Sequence, residues 1–496
     1  MLVKRNPPKK KKKKKLIQKI ILDNKIRFPF PYMLEEEIRK AFTMVNPEYL
    51  ALCKRRRLKA YERPTGHIIT KEKKNGIWTS RKIPQWLFYW EYDGTELVVP
   101  RGAFQVVKKI FNRHGVMYKV INNRDLLEST NFRFKGKLKE SKGQYAFLDY
   151  KAKNGILQAG TGTGKTVMFL FHCARVNQPT CIVVDTNELL EQWKNRIHTF
   201  LGIPKAKIGH IGGGKEKVKP ITVALVQTLR NRTDLLNNFG FLGIDECHIA
   251  ATESYSKVVN EFKGRYVMGL SATPRRKDGK TRVMLWFLGK IALSISRDNV
   301  EKLPATGFFV NTGYEGEICF RRKYSVALAE MVRDKKRNQL IIDRVLKTID
   351  HFGVHLIMSK SSVHLEKLIE LLPHHFRLIS ELLVGKVDKK KRKEIVARAM
   401  KNELKFIFAT DKLIEKGFDE ELMSVLHLTT PIADPDKVEQ ACGRVTRVPN
   451  NQKIKELKTK ALIFYYFDSL EVPLRAAASK TSKRFQELGI KKQIIH

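Results

Sequence analysis

Short apolar runs recur along the chain from about residue 137: Ile156-Leu157, CIVVD (181–185), ITVALV (221–226), FLGID (241–245) and YVMGLS (266–271). Each is of strand length, and the mixed stretches between them have room for helices. Such alternation predicts a parallel sheet with helices packed on its faces. The pattern loosens between about 296 and 325, then resumes with HLIMS (355–359), LLVGK (382–386), FIFAT (406–410), VLHLTT (425–430) and ALIFYYFD (461–468). No repeat appears at a solenoid period, so two α/β halves in tandem are the simplest organisation.

Upstream the pattern changes. IPQWLFYWEYDGTELVVP (83–100) holds two aromatic-rich apolar runs around Asp93-Gly94, a dipeptide suited to a hairpin turn. A small α+β module is therefore expected over 16–128, ahead of α/β halves over 129–300 and 301–496. Residues 1–15 read as a basic, disordered arm with an unbroken lysine run, Lys9 to Lys15. A phosphate grip, a nuclear address and a merely solvated tail all fit it.

Composition narrows the picture. Of 496 residues 42% are hydrophobic, enough for buried cores, and no apolar run reaches the roughly 18–20 residues of a membrane span. The N-terminus lacks the apolar stretch of a secretory signal. The expectation is a soluble, intracellular protein, in the host cytoplasm if it comes from a phage, with a nucleus left open. Six cysteines without a CxxC pair argue against zinc ribbons and disulfides. The net charge of +46 attracts polyanions, so nucleic acid is the expected partner and a membrane is not. Arg55, Arg56 and Arg57, in CKRRRLKAYERP, add an aromatic to a basic cluster. That combination suits phosphate and base contacts, although a solvated charged face explains it almost as well.

Three segments carry candidate chemistry. AGTGTGKT (159–166) follows an apolar strand and precedes an apolar helix. Gly160, Gly162 and Gly164, with Thr161 and Thr163 between them, let backbone N–H groups approach phosphate. Lys165 can reach the β- and γ-phosphates, and the Thr166 hydroxyl can ligate Mg²⁺. FLGIDECH then ends a strand on Asp245 and Glu246. Asp245 suits Mg²⁺ and Glu246 suits the activation of water in line with a γ-phosphate, so ATP and Mg²⁺ are the expected cofactors. In QACGRVTR (440–447), Arg444 and Arg447 stand three apart on an expected helix and would share a face. Together they could clamp the γ-phosphate from the other α/β half.

These segments, in order with VVDTNELLEQW, ITVALVQTL, GLSATPRRKDG, HLIMS, LLVGKVDKKKR and FIFATDKLIEKGFD, resemble those of superfamily 2 DExH helicases over about 137–490. The likeness is greatest to the phage UvsW-like branch-migration helicases and the XPB group. Motif II ends in Cys-His, so the chain resembles neither the DEAD-box nor the DEAH-box type. The resemblance implies two RecA-like domains. It implies an adenine contact for Gln144, coupling roles for His248, Ser271, Ala272 and Thr273, and nucleotide-cleft positions for Gly417, Asp419 and Gln440. It also implies strand-phosphate contacts near Thr186, Gln227, Thr228 and Thr410, each of which could equally be a cap or turn residue.

The function expected from this is an ATP-dependent DNA helicase or translocase acting on single-stranded and branched duplex DNA in recombination, repair or replication. An RNA helicase or transcript-releasing translocase is the enzyme rival. A nucleic-acid-binding or annealing protein with a vestigial ATPase is the non-motor rival. Both arginines and the P-loop lie in one chain, so a monomer suffices. Trp286 and Phe287 could be strand-separating wedges, with core packing the better bet.

Overall fold

The computed structural model describes residues 17–495 apart from 31, 57, 59–61, 75–76, 141–142, 149, 151–153, 161–162, 277, 296–300, 317–323, 385–393, 396, 400, 402, 411–420, 433, 450 and 471. The chain divides into two compact units. One comprises residues up to 138 with 144–160 and 165–295; the other comprises 139–143, 161–164 and 296 onward.

The first unit holds an eight-stranded sheet that is parallel except for an edge hairpin, His210–Gly212 on Lys215–Lys217. Its strands include all five predicted runs: Gly155–Ala159, Thr180–Val184, Ile221–Leu225, Phe241–Ile244 and Tyr266–Ser271. Residues such as Ile156, Ile182, Val183, Val223 and Leu242 are buried, because helices cover both faces of a parallel sheet. The helix Asn187–Leu201 starts on the Thr186 cap and ends where Gly202 turns left-handed, at φ 67°.

A second, five-stranded sheet precedes it in the same unit, with strands Gln18–Leu22, Lys25–Pro29, Glu91–Asp93, Glu96–Pro100 and Tyr118–Asn122. Ile20, Ile26, Phe28, Leu97 and Val99 pack beneath Ile38, Val107 and Phe111 of two short helices. The turn at Asp93-Gly94 forms, with Asp93 opposite Glu96. Of the upstream run only Glu91–Asp93 joins that hairpin; Trp86–Phe88 pairs with Thr43–Val45 instead. Trp90 leaves the strand between them and donates its indole N–H to Thr43 Oγ, 2.9 Å away. His67–Lys74 and Ile77–Pro84 form a long two-stranded ribbon that the apolar pattern did not announce.

The Arg101 guanidinium, buried at 6% exposure, joins this module to the larger sheet by donating to the carbonyls of Phe262 and Gly264. Beside it, a Cβ on Gly102 would lie 2.3 Å from the Gly289 backbone nitrogen, so the approach requires glycine. Trp286 and Phe287 are core residues here, 3% and 5% exposed. The Trp286 ring sits 5.3 Å from Phe42 and 5.2 Å from Tyr89.

The second unit is a seven-stranded, all-parallel sheet in the order Ser380–Leu383, Phe406–Thr410, Val354–Ser359, Met423–Leu428, Ala461–Phe467, Ala305–Asn311, Lys491–Ile495. The strand expected at 382–386 lies earlier and ends at Leu383. The stretch 296–325, which looked irregular, supplies the strand Ala305–Asn311. A fully buried ion pair, Arg337 Nε to Asp468 Oδ1 at 2.8 Å, ties the helix Lys335–Lys347 to the end of the strand Ala461–Phe467. No helix among the described residues is long and apolar enough to cross a membrane. The five described cysteines are free and buried.

Candidate functional site

Three neighbouring parallel strands end together in the first unit. Gly155–Ala159 leads into the P-loop, Phe241–Ile244 leads into Asp245, and Tyr266–Ser271 lies between them. The carboxyl edge of such a sheet is where loops and helix N-termini converge on ligands. Lys165 opens the helix Lys165–Val176, whose first N–H groups are free of intrahelical partners and suited to phosphate.

Lys165 Nζ lies 3.6 Å from Glu246 Oε1. Glu246 Oε2 is 3.4 Å from His248 Nδ1, and the same nitrogen is 3.4 Å from Ser271 Oγ. Ser271 Oγ in turn accepts the Thr273 N–H at 3.2 Å. A continuous polar chain thus runs from the P-loop lysine through Glu246 and His248 to Ser271-Ala272-Thr273. The Arg276 guanidinium, bonded to the His248 carbonyl, ties down the same loop.

Asp245 is held differently. Its Oδ2 accepts the Trp193 indole N–H at 2.8 Å, and Oδ1 accepts the Glu246 N–H at 3.0 Å. Burial, and then the neighbouring Glu246 carboxylate, push the Asp245 carboxyl above its ordinary range. Burial raises Glu246 too, but Lys165 and His248 outweigh it and hold that carboxyl at about 2. Two adjacent carboxylates are therefore driven apart in acidity by what each one faces. Glu246 also sits in the left-handed region, at φ 46° and ψ 52°. That conformation costs a side-chain-bearing residue about 1–3 kcal/mol and breaks the strand's alternation just where the carboxylate meets Lys165.

The donor set fits a magnesium ion. The Thr166 hydroxyl and the Asp245 carboxylate are hard oxygen ligands, and Mg²⁺ typically takes one or two protein carboxylates and completes its shell from phosphate and water. No independent cluster of metal-ligating side chains occurs among the described residues.

The other expected residues divide. Gln144 is 2% exposed on the short helix Gln144–Phe147, and the Phe147 ring packs 5.6 Å from His172 of the P-loop helix. The Thr186 hydroxyl caps a helix by accepting the Leu189 N–H. Gln227 and Thr228 lie on the short helix Val226–Leu229, and Thr410 ends a strand in the second unit. Arg55 and Arg56 are exposed at the end of the helix Pro47–Arg55, away from the P-loop cluster in sequence and sheet. Thr161, Gly162, Arg57, Gly417 and Asp419 lie outside the described residues. Trp193 was not anticipated. Its place in LLEQW reads as a core position, and only the fold brings its N–H to Asp245.

Residues 106–276 match the family described as type III restriction enzyme, res subunit, and residues 337–449 match the helicase conserved C-terminal domain. The chain belongs to the superfamily 2 helicases. Among its relatives is the DNA 3'-5' translocase XPB2 of Sulfurisphaera tokodaii, 31% identical over 267 residues, which cover 53% of this chain and 57% of the relative. The chain spans under two thirds of the length of the first curated relatives it matches. Two solved structures align with this chain. Dbp5 of S. cerevisiae, bound to RNA and ADP BeF3, aligns with TM-score 0.52 at 16% identity over 73% of this chain and 90% of that one. T4 UvsW aligns with TM-score 0.41 at 17% identity over 97% and 100%.

The two parallel-sheet halves are thus the RecA-like domains of a superfamily 2 helicase, and the small α+β module precedes them. In the second domain Gln440 and Arg444 lie four apart on the helix Pro435–Val445 and share a face. Arg447 lies past the end of that helix, whereas sequence spacing places it on the helix with Arg444. The Thr446 N–H and hydroxyl both bond to the Cys442 carbonyl, and Arg447 then forms an antiparallel bridge with Lys302. Pro449, two residues on, cannot extend a helix.

Proposed function

We propose that this chain is an ATP-driven motor that translocates on DNA and unwinds or branch-migrates branched substrates in recombination, repair or replication. The observation that carries the proposal is the polar chain Lys165–Glu246–His248–Ser271 at the carboxyl edge of the first sheet. It supplies a phosphate-binding cation and a carboxylate base, with a path from that base to the loop beyond the sheet.

In the state described, Lys165 neutralises Glu246 and keeps it a weak base. A γ-phosphate entering beside Lys165 competes for that ammonium, and the Glu246 carboxyl then rises toward its ordinary value. Glu246 becomes a better proton acceptor when substrate is in place, so water is activated only then. Bound magnesium would be held by Thr166 and Asp245 and would offset phosphate charge. His248, held between Glu246 and Ser271, senses whether Glu246 faces lysine or water. We assign Gln144 to the nucleotide base and Arg444 to the γ-phosphate, where such an arginine contributes roughly 10³–10⁵ in kcat.

A DNA track is supported by the name of the XPB2 relative and by the +46 charge, which favours polyanions in general. The experiment is a comparison of ATPase stimulation by forks, Holliday junctions, flaps, R-loops, single strands and RNA duplexes, with Lys165→Ala as the control. Branched DNA should stimulate most. Strongest stimulation by RNA would move the proposal to an RNA helicase or transcript-releasing translocase.

A further inference from the structure

The N-terminal module carries an aromatic ladder on its surface. Phe30, Tyr32, Tyr92, Trp90 and Phe88 follow one another at ring-centroid steps of 5.6, 5.9, 5.8 and 5.8 Å. Phe30 is 73% exposed, Phe88 60% and Tyr92 46%. Contiguous exposed aromatics of this kind mark a contact surface. Phosphate-tracking platforms surround their rings with available cations. This rim is the reverse. Glu35, Glu36 and Glu37 open the adjoining helix, and Glu91, Asp93 and Glu96 flank Tyr92. The nearby cations are tied to those carboxylates: Lys25 to Glu91, Arg27 to Asp93 and Glu96, Arg39 to Glu35 and Lys40 to Glu36. Arg39 also lies over the Trp90 ring at 4.2 Å, so the surface already accepts a cation on an aromatic face.

We propose that this ladder is a docking surface for a lysine-rich segment and that its occupant is the chain's own Lys9–Lys15. Charge decides against a polyanion here and for a polycation. Chain geometry names the segment. The Gln18 side chain donates to the Pro29 carbonyl and accepts the Met33 N–H, which places it beside Phe30 and Tyr32 at one end of the ladder. Lys15 is three residues before Gln18, within about 10 Å of reach. The seven lysines span at most about 25 Å when extended, which matches four ring steps. Exposed ion pairs of the rim's type are weak and exchange readily, so incoming ammonium groups can replace Lys25 or Lys40. Tethering raises the effective concentration to the millimolar range, so even weak cation–π and ionic contacts suffice. The contact would shield the arm from nucleic acid until a polyanion displaces it.

The test is zero-length carbodiimide cross-linking of the full chain at low salt, with the joined residues located by mass spectrometry. Mixing isotope-labelled and unlabelled chains separates contacts within a chain from contacts between chains. Cross-links from Lys9–Lys15 are expected to concentrate on Glu35–Glu37, Glu91, Asp93 and Glu96, to lie within one chain, and to vanish on adding heparin. They should also fall to background in Phe30→Ala/Phe88→Ala, two exposed positions whose truncation leaves the core intact. Circular dichroism checks that the variant folds. Cross-links scattered over the chain's carboxylates, joined between copies, or unchanged in the double variant would overturn the proposal. Ultraviolet cross-linking of oligothymidylate to Phe30 or Phe88, with no lysine cross-links at the rim, would assign the ladder to unpaired bases and overturn it equally.

Discussion

Trp193→Phe removes a neutral side-chain donor that holds Asp245. The indole N–H is 2.8 Å from Asp245 Oδ2, and the ring is 2% exposed with Phe169 at 5.6 Å. Phenylalanine keeps an apolar ring against Phe169 and removes the donor. A hydrogen bond to a charged group contributes about 1.5–3 kcal/mol. Some of that returns if water enters the vacated space, so the lower end applies, equivalent to about one pK unit. Asp245 is already pushed upward by burial and by Glu246, and losing the donor moves it further the same way. Asp245 must be ionised to hold magnesium, so the acid limb of the ATPase pH profile should shift upward by about one unit. Activity at high pH should be largely retained. The assay is kcat/KM for ATP against pH, in wild type and variant, at saturating magnesium. An acid limb that stays in place while the variant remains folded would refute the role given to Trp193.

Further outcomes follow from the same geometry. Glu246→Gly and Glu246→Gln should both abolish hydrolysis, but the glycine variant should be more stable than the glutamine variant by about 1 kcal/mol in urea unfolding, because only glycine adopts φ 46° without penalty. Asp468→Asn leaves the Arg337 guanidinium buried without its counter-charge and should cost about 3–5 kcal/mol in denaturant unfolding of the full chain. His427, pushed down to about 3 by burial, stays neutral when folded and binds a proton only on unfolding. Its contribution is therefore complete above about pH 6.5 and is lost as pH falls toward 3. His427→Phe should flatten the pH dependence of stability in that window by up to about 1.4 kcal/mol per pH unit.

Much of the fold was legible because period and chemistry agree. The runs containing Ile182, Val223 and Leu242 are buried on both faces and read as continuous apolar segments, the signature of parallel strands. The strand Ala305–Asn311 was obscured because Thr306 and Gly307 interrupt its apolar run, and its core contacts come from the distant Phe485 and Ile490. Trp86–Phe88 failed as a hairpin arm because its pairing with Thr43–Val45 lies more than 40 residues away, beyond the reach of local pattern. At the site, Lys165, Asp245 and Glu246 were readable from local spacing alone. The Trp193 donor and the left-handed Glu246 turn were not, since both depend on where the sheet carries the chain. Arg447 was misplaced on the helix because residue spacing cannot show that Thr446 closes the last turn.

If hydrolysis at Lys165 and Glu246 drives strand displacement, the two activities are lost together. Phosphate release and strand displacement on a forked DNA should be measured together for wild type, Lys165→Ala and Glu246→Gln. Wild type should do both, Glu246→Gln should bind ATP and fork yet do neither, and Lys165→Ala should lose nucleotide binding as well. Undiminished strand displacement in either variant would contradict that coupling.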